Sequence, residues 1–260
     1  MRKLFLTGAI ALSALGLGTV AIAAGGAPTP PKKQWSFSGP FGTYDRAAAQ
    51  RGYQVYRDVC AACHGLHLVA YRNLMDLGLT ENQVKGLIAD ITVPDLNDDG
   101  QPIERPARLS DRFKNPFPNV LAAAAANNGK APPDLSVIVK ARSGGADYIH
   151  GLLVGYVPFD KIPPEQVKEY AVTQDDNFNL YFPGHKIAMA PPLADDKLTY
   201  VDGTKATVDQ MSSDVTVFLT WASEPHLEDR HRTGVRVILF MLALAGLMYA
   251  VKRSVWADKH

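Results

Sequence analysis

The chain begins and ends with uncharged apolar runs, and each predicts a segment that meets a membrane. The first run, residues 4–20, follows two basic residues and precedes Ala21-Ile22-Ala23. A charged start, an apolar centre and a small-x-small cleavage site are the parts of a secretory signal. We therefore expect residues 1–23 to be a cleaved signal peptide. A retained N-terminal anchor is the alternative, because the run is nearly long enough to span a bilayer.

The second run, residues 237–251, predicts a transmembrane helix with expected limits 231–252. With the residues just before it, the run approaches the ~20 residues that a spanning helix needs. A buried helix of a soluble core is the alternative, but uninterrupted apolar runs are rare there. Because the signal exports the body, we expect residues 24–230 to lie in the periplasm of a Gram-negative cell. Residues 253–260 would then form a cytoplasmic tail, and the protein would cross the inner membrane once.

Between these runs, helical periodicity is confined to short stretches. Apolar residues at three- and four-residue spacing predict helices, and capping residues mark their starts. A predicted capping box, Thr207 with Gln210, opens the helix with the strongest apolar face, and Pro225 is expected in the first turn of the membrane helix. Gly52 would allow close packing against another helix. The expected helices are 45–59, 80–91, 119–128, a short one opening at Pro133-Asp134, 147–155 and 207–223.

Prolines are concentrated in the middle of the chain, where 13 of the 18 lie between Pro94 and Pro192. We expect an extended arm over residues 27–40, no regular element over 93–118 and mostly irregular chain over 158–192. Long loops of this kind suit one cofactor wrapped by a single domain better than they suit a second domain. The predicted fold is mainly α, with long loop insertions and one C-terminal transmembrane helix.

The only two cysteines lie in Cys60-Ala61-Ala62-Cys63-His64. The C-x-x-C-H pattern is typical of c-type haem attachment, in which two thioethers hold the porphyrin edge and the histidine binds the iron. A zinc ribbon would need a second ligand pair, and a thioredoxin-like redox pair does not require the histidine. A structural disulfide would gain little from so short a loop. We therefore predict one covalently attached haem c.

The net charge of +1 conceals an acidic body. Arg2 and Lys3 contribute +2 and residues 230–260 contribute +5, which leaves −6 for residues 4–229. An acidic surface does not suit nucleic acid and favours a basic partner. The acidic residues that could steer such a partner are Asp95, Asp98, Asp99, Glu104, Asp175 and Asp176.

A haem iron with one histidine needs a second axial ligand unless it binds substrates. Met189 is the favoured candidate, because Pro191 and Pro192 stiffen the extended segment that presents its weak, soft sulfur. Met211 fits the apolar face of a helix better, and Met75 follows His64 too closely to reach the opposite haem face easily. The competing histidines are His67, His150, His185 and His226.

Several segments together resemble the cytochrome c1 family, the haem subunits of ubiquinol–cytochrome c oxidoreductase (complex III), in the alphaproteobacterial form. The resemblance covers nearly the whole expected mature chain, and its specificity lies in the order and spacing of the segments. These are Val59-Cys60-Ala61-Ala62-Cys63-His64, Leu109-Ser110-Asp111-Arg112-Phe113, Ala125-Ala126-Asn127-Asn128-Gly129, Pro132-Pro133-Asp134-Leu135-Ser136, Ala141-Arg142-Ser143-Gly144-Gly145-Ala146-Asp147-Tyr148, Tyr181-Phe182-Pro183-Gly184 and Ala188-Met189-Ala190-Pro191-Pro192.

The resemblance implies a cytochrome c-like haem domain with His64 and Met189 as axial ligands. It also implies that Arg142 lies near a haem propionate, with Tyr148 close by. Electrons would arrive from the Rieske iron–sulphur protein and leave to a soluble, basic c-type cytochrome. Cytochrome b would be the partner in the lipid bilayer, within a dimeric complex. The chain would be a redox subunit with no catalytic residues and would not be an enzyme by itself.

Two other functions are compatible with the attachment motif. A free-standing, membrane-anchored electron shuttle would share the haem and the anchor, but it would not need the long interrupted region between His64 and Met189. A haem enzyme or gas sensor would keep one iron position open. Co-purification with other redox subunits would argue against the free-standing shuttle. Carbon monoxide binding to the reduced protein would support the haem enzyme or gas sensor.

Overall fold

The computed structural model describes residues 27–259, so the expected signal peptide lies outside the described residues. Within that range the chain is mainly helical with two small antiparallel sheets, which confirms the predicted fold class. The helices are α1 Arg46–Asp58, α2 Glu81–Leu87, α3 Val120–Ala126, α4 Gly145–Val154, α5 Pro164–Glu169, α6 Val208–Ser223 and α7 Leu227–Val255. The strands are β1 Thr92–Leu96, β2 Pro102–Pro106, β3 Asn177–Phe178 and β4 Lys186–Ile187. Short 3₁₀ segments cover Cys60–Ala62, Tyr71–Leu77, Phe159–Lys161 and Ala257–Lys259.

The packing of α1 on α6 is the centre of the main core. A Cβ on Gly52 of α1 would lie 2.0 Å from the backbone oxygen of Asp214 on α6, so only glycine permits this approach. The expected close packing at Gly52 is therefore confirmed, and α6 is its partner. Tyr53 stacks at a tilt on Phe218 of α6, with 5.7 Å between the ring centroids, which extends the contact into an aromatic cluster.

A buried ion pair joins the same two helices. Arg51 donates to both carboxylate oxygens of Asp214, at 2.9 and 3.0 Å, and also to Asp202 at 2.9 Å. The side chain of Asp214 is only 2% exposed, so its charge depends on this arginine for compensation. The pair fixes the rotation of α1, and hence the direction in which the chain leaves α1 toward Cys60.

Local capping signals locate the helix starts well. Asp45 caps α1, Asn119 caps α3 and Thr207 caps α6, each through its side-chain oxygen. The predicted capping box of α6 is wrong in its second half, because the Gln210 side chain donates to Asp214 at 3.0 Å. The helix capped by Thr80 is confirmed, but it ends at Leu87 and is shorter than expected.

Two expectations about the middle of the chain are wrong. The prolines of residues 93–118 argued against regular structure, yet β1 and β2 pair there around a turn at Gly100, whose φ is +74°. In a two-stranded sheet both strands are edges, so prolines can face outward without breaking the pairing. No helix opens at Pro133-Asp134, because Leu135 donates its N–H to Gly65 at 2.9 Å and the chain continues in turns.

A second, smaller core forms within residues 157–187. Ile162, Val172 and Phe178 are its buried centre. Most of residues 158–192 are irregular, as expected, and the regular elements among them include α5 and the β3–β4 pair, in which Asn177 is opposite Ile187. We call residues 157–187 the small core. Its last strand, β4, leads directly into the segment that carries Met189.

The break between α6 and α7 occurs at Glu224, as the sequence predicts. Pro225 lies before α7, which begins at Leu227, so its expected place in the first turn is wrong. Arg46 of α1 and Glu228 of α7 form an ion pair at 2.7 Å, which joins the two helices. Among residues 27–259, α7 is the one helix long and apolar enough to cross a membrane, and its apolar stretch is unburied.

The N-terminal arm packs on α4. Residues 27–35 have no regular structure, as expected for an extended arm. Trp35 donates its indole N–H to Asp147 at 2.7 Å, and the backbone N–H of Lys33 donates to the same carboxylate at 3.1 Å. The arm thereby holds the first turn of the helix that follows Arg142.

Candidate haem-binding site

The Cys60–His64 segment follows α1 without a linker. Cys60–Ala62 forms one 3₁₀ turn, and the N–H groups of Cys63 and His64 both donate to the Cys60 carbonyl, at 3.1 and 2.9 Å. Both cysteines are free, half-buried thiols. Burial, and then the neighbouring Cys63, raise the pKa of the Cys60 thiol to about 12, so it stays neutral. Within residues 27–259 no group of three or more His, Cys, Asp or Glu side chains is placed to hold a metal ion.

The His64 imidazole is oriented with one nitrogen available for a metal. Its Nδ1 lies 2.7 Å from the Pro133 carbonyl oxygen. A carbonyl oxygen only accepts, so Nδ1 carries the proton and Nε2 keeps its lone pair. Burial lowers the pKa of His64, although the hydrogen bond to Pro133 opposes this effect. The ring is therefore neutral at physiological pH, which is the form that binds iron.

The residues around His64 hold its backbone closely. The Tyr56 hydroxyl of α1 donates to the His64 carbonyl at 3.1 Å. A Cβ on Gly65 would lie 2.4 Å from Asn115 Oδ1 and 2.9 Å from Asp134 Oδ2, so a larger residue after His64 would displace these two side chains. Burial alone would raise the pKa of Asp134, but hydrogen bonds from Ser136 and the His67 backbone outweigh it and lower that pKa. A charged Asp134 thus ties the loop after His64 to the Pro133 turn.

A cavity of about 220 Å³ opens beside Cys63. Proline, aromatic and aliphatic side chains form much of its wall, including Phe117, Val120 and Pro132. The wall continues from Val120 onto an exposed apolar surface, since Val120 is 71% exposed and its neighbour Leu121, outside the cavity lining, is 83% exposed. The attachment segment therefore borders an apolar surface of the kind that a porphyrin face would cover.

Met189 is half-buried and lies outside that cavity, in a bend that it forms with Ala188, so the extended conformation expected of it is wrong. We call residues 188–193 the methionine segment. The Tyr156 hydroxyl donates to the Met189 carbonyl oxygen at 3.0 Å. Burial raises the pKa of Tyr156 well above its ordinary value, so the hydroxyl remains a donor. The assignment of Met189 as the second axial ligand stays a prediction from the sequence.

The competing ligand candidates make other contacts or lie on the surface. Met211 is fully buried in the main core, as its helical pattern predicts, and Met75 is 38% exposed on the surface. His150 contacts Asp209 at 2.9 Å, and His185 is stacked on Phe178 with 5.2 Å between ring centroids. His67 contacts Asp134 at 2.8 Å, and the His226 side chain is 84% exposed. Met211, His67, His150 and His185 therefore have other contacts, whereas Met75 and His226 are disfavoured only by their exposed positions.

Arg142 and Tyr148 lie together at the start of α4. Burial raises the pKa of Tyr148, and the positive charge of Arg142 opposes this increase, so the two side chains are close. Arg142 is exposed and donates to the adjacent Ala141 carbonyl at 3.0 Å. No ion pair within residues 27–259 involves Arg142, so its guanidinium is able to bind an external carboxylate.

These features fit a covalent haem. Two free thiols flank a single turn, a neutral imidazole follows with Nε2 available, an apolar surface adjoins them, and an unpaired arginine lies at the start of α4. A C-x-x-C-H segment beside an apolar surface, in a mainly helical chain with one helix able to cross a membrane, is the arrangement expected of a membrane-anchored c-type haem protein.

The cytochrome C1 family model matches residues 35–259. A cytochrome c1 from Rhodospirillum rubrum is 46% identical, over 95% of this chain and 94% of its own length. The protein named cytochrome c1, heme protein, mitochondrial, from Saccharomyces cerevisiae is 47% identical, over 87% of this chain and 72% of its own length. A protein named cytochrome b/c1 from Bradyrhizobium diazoefficiens is 46% identical over 96% of this chain, which spans 39% of that longer relative. The chain belongs to the cytochrome c1 family.

Sequence reasoning missed the residues that support the candidate ligands. Pro133 belongs to a segment that carries the family resemblance, but its carbonyl is 69 residues from His64 and no periodic pattern predicts that contact. The hydroxyls of Tyr156 and Tyr56, which donate to the carbonyls of Met189 and His64, were also missed. The position of Tyr56 on α1, four residues before Cys60, was the one available signal for its proximity to the attachment segment.

Proposed function

We propose that this chain is the haem-carrying electron-transfer subunit of a quinol–cytochrome c oxidoreductase. The observation that carries the proposal is the His64 imidazole, which directly follows two free thiols. The ring is neutral, and its Nδ1–H donates to the Pro133 carbonyl oxygen. Family membership supports the same function, and the yeast relative is named as a heme protein. Electrons arrive from the Rieske iron–sulphur protein and leave to a soluble, basic c-type cytochrome.

In this proposal Cys60 and Cys63 hold one haem c through thioether bonds. His64 and Met189 occupy the two axial positions, and Arg142, with Tyr148 beside it, offsets the charge of a propionate. The haem would supply a reversible one-electron couple, and a methionine ligand raises its midpoint potential. The residues of the chain orient the two ligands, keep substrates from the iron and neutralise buried charge. The subunit carries single electrons and makes or breaks no bond of a substrate.

The proposed topology follows from the apolar runs. Residues 1–23 are a cleaved signal, residues 24–230 form the periplasmic haem domain, residues 231–252 cross the inner membrane and residues 253–260 remain in the cytoplasm. The observation that α7 is long, apolar and unburied supports the crossing. The name of the Bradyrhizobium relative, cytochrome b/c1, supports cytochrome b as the membrane partner. The dimeric state of the complex is part of the proposal and comes from the family resemblance.

Fewer acidic side chains are candidates to steer the basic acceptor than the sequence alone indicates. Asp95 is paired with Arg105, and Asp176 is paired with Lys186 at 2.9 Å, so these carboxylates already have basic partners. Asp98 and Asp99 are exposed at the turn of the β1–β2 hairpin and are better candidates to steer a basic cytochrome. Added salt should then slow reduction of that partner, because salt screens the attraction. A flat salt response would contradict steering.

Purification of the full chain in mild detergent tests the complex. We expect a b-type haem and an iron–sulphur protein to copurify with the covalent haem. A chain that elutes alone, with its haem attached and its redox couple intact, would instead support the free-standing shuttle.

Replacement of the proposed sulfur ligand tests the ligand set. Met189→Leu should lower the midpoint potential and abolish the methionine–iron charge-transfer band of the oxidised protein, because the thioether ligand is lost. Met75→Leu is the matched control, since its sulfur is surface-exposed, and it should leave both properties unchanged. A normal potential in Met189→Leu would show that another residue is the ligand.

A further inference from the structure

We propose that Tyr156 is a positioning residue, which holds Met189 on the iron through the hydrogen bond from its hydroxyl to the Met189 carbonyl. This inference rests on the proposed function, in which Met189 is an axial ligand. The geometric basis is the 3.0 Å contact between the Tyr156 oxygen and the Met189 carbonyl oxygen. The role is distinct from ligation, because Tyr156 acts on the backbone that presents the sulfur.

The methionine segment depends on this contact for its position. Throughout residues 188–193, all of them in the described chain, the Tyr156 bond is the one hydrogen bond that forms. The segment is held at both ends, by the β3–β4 pair before it and by the buried side chain of Leu193, its last residue. Between these ties, Tyr156 is the residue that fixes where the backbone of Met189 lies.

Tyr156 is itself held at several points. It pairs with Asn179 in an antiparallel bridge, and the adjacent Val157 N–H donates to Phe178 at 3.1 Å. Asn179 is fully buried and donates its side-chain amide to the Leu152 carbonyl of α4 at 2.7 Å. A continuous set of hydrogen bonds therefore connects α4, through the small core, to the methionine segment.

The His64 side contains the same arrangement with an important difference. The Tyr56 hydroxyl donates to the His64 carbonyl, as the Tyr156 hydroxyl does to the Met189 carbonyl. His64 has two further constraints, since its ring donates to Pro133 and its chain neighbour Cys63 would be bonded to the haem. Met189 has neither, so loss of its tyrosine should have the larger effect on ligation.

The expected size of the effect follows from the worth of one hydrogen bond. The net free energy that one hydrogen bond contributes corresponds to roughly a two- to tenfold change in an equilibrium constant. Without the hydroxyl, the fraction of protein with Met189 off the iron should rise by this factor. Because methionine ligation raises the potential, the midpoint potential should fall.

The test compares Tyr156→Phe with Tyr44→Phe in the full-length haem protein. Tyr44 is a matched control, because its buried hydroxyl donates to the Glu224 carbonyl at 2.9 Å, away from both candidate ligands. Tyr156→Phe should weaken the methionine–iron band, lower the midpoint potential and increase carbon monoxide binding, while Tyr44→Phe should change none of these. A Tyr156→Phe protein with the native band and potential would overturn the proposal.

A double variant determines whether Tyr156 acts through Met189. In the Met189→Leu background, Tyr156→Phe should cause no further shift in potential, because the bond no longer positions a ligand. An equal shift in both backgrounds would overturn the positioning role. A native potential in Met189→Leu alone would instead overturn the ligand assignment, so failure of the proposed function is distinguishable from failure of this inference.

Discussion

The two sides of the candidate haem site are held by different kinds of structure. The His64 side follows α1, which is locked to α6 by a glycine contact, a buried ion pair and an aromatic cluster. The Met189 side depends on the small core, whose buried centre has three residues, and on hydrogen bonds from Tyr156 and Asn179. Under the proposed function the two cores would have different roles: the main core would hold the segment that attaches the haem, and the small core would position Met189 as the second ligand.

The largest expected effect comes from breaking the main core at its ion pair. Arg51→Leu leaves Asp214 buried without its partner and should lower the free energy of unfolding by ~3–5 kcal/mol. Urea unfolding of the detergent-solubilised protein measures it. Arg57→Leu is the control, because Arg57 pairs with the adjacent Asp58 at a 42% exposed site and should cost only ~0–1 kcal/mol. Equal losses in the two variants would refute the special role of the buried pair.

A methyl group at the helix crossing should have the next largest effect. Gly52→Ala forces α1 away from Asp214 and should cost ~1–3 kcal/mol of unfolding free energy, as overpacking does. Gly86→Ala in α2 is matched, because nothing lies within 4 Å of its Cβ position. That variant should gain up to ~1 kcal/mol from helix propensity. Thermal or urea unfolding that ranks the two variants in the opposite order would contradict the packing shown by the structure.

Disruption of the small core should act locally. Asn179→Ala removes the amide that bonds the Leu152 carbonyl and should cost ~1–3 kcal/mol there. Amide hydrogen exchange should accelerate at Val157, whose N–H donates to Phe178, and at Leu180, whose N–H donates to Gly155, while exchange in α6 stays unchanged. Equal acceleration in α6 would show that the two cores unfold as one unit, and the comparison between them would fail.

The smallest effect concerns the pH dependence of the loop after His64. The pKa of Asp134 is lowered from 3.8 in the folded state, so the charged carboxylate contributes stability above about pH 4, and this contribution is lost as pH falls through the lowered value. Native protein should therefore exceed Asp134→Asn in stability at pH 7, and the difference should shrink only in acid. A difference that is constant from pH 7 to pH 3 would rule out this charge effect.

Local signals in the sequence predicted much of the helical framework. Thr80, Asn119 and Thr207 mark helix starts because a capping side chain bonds an N–H only three residues away. The glycine at position 52 predicted a close helix contact, which the structure confirms with α6 as the partner. Features within a few residues are readable because the physical interactions that cause them are equally short in range.

The remaining features depend on contacts between distant parts of the chain. Tyr156 and Met189 are 33 residues apart, and Pro133 and His64 are 69 apart, so no spacing rule relates them. The β1–β2 hairpin was missed because proline normally argues against strands, and only the absence of outer neighbours makes it acceptable there. The cysteine–histidine motif identified the attachment segment, but the supports of both ligands required the fold.

Carbon monoxide binding to the reduced, full-length protein tests the central claim most directly. A haem closed by His64 and Met189 leaves no iron position for the gas, so the native protein should not bind carbon monoxide, and Met189→Leu should bind it. The measurement is the shift of the reduced haem spectrum on addition of the gas. Ready binding by the native protein would contradict the proposal of a closed electron carrier and would support a haem enzyme or gas sensor.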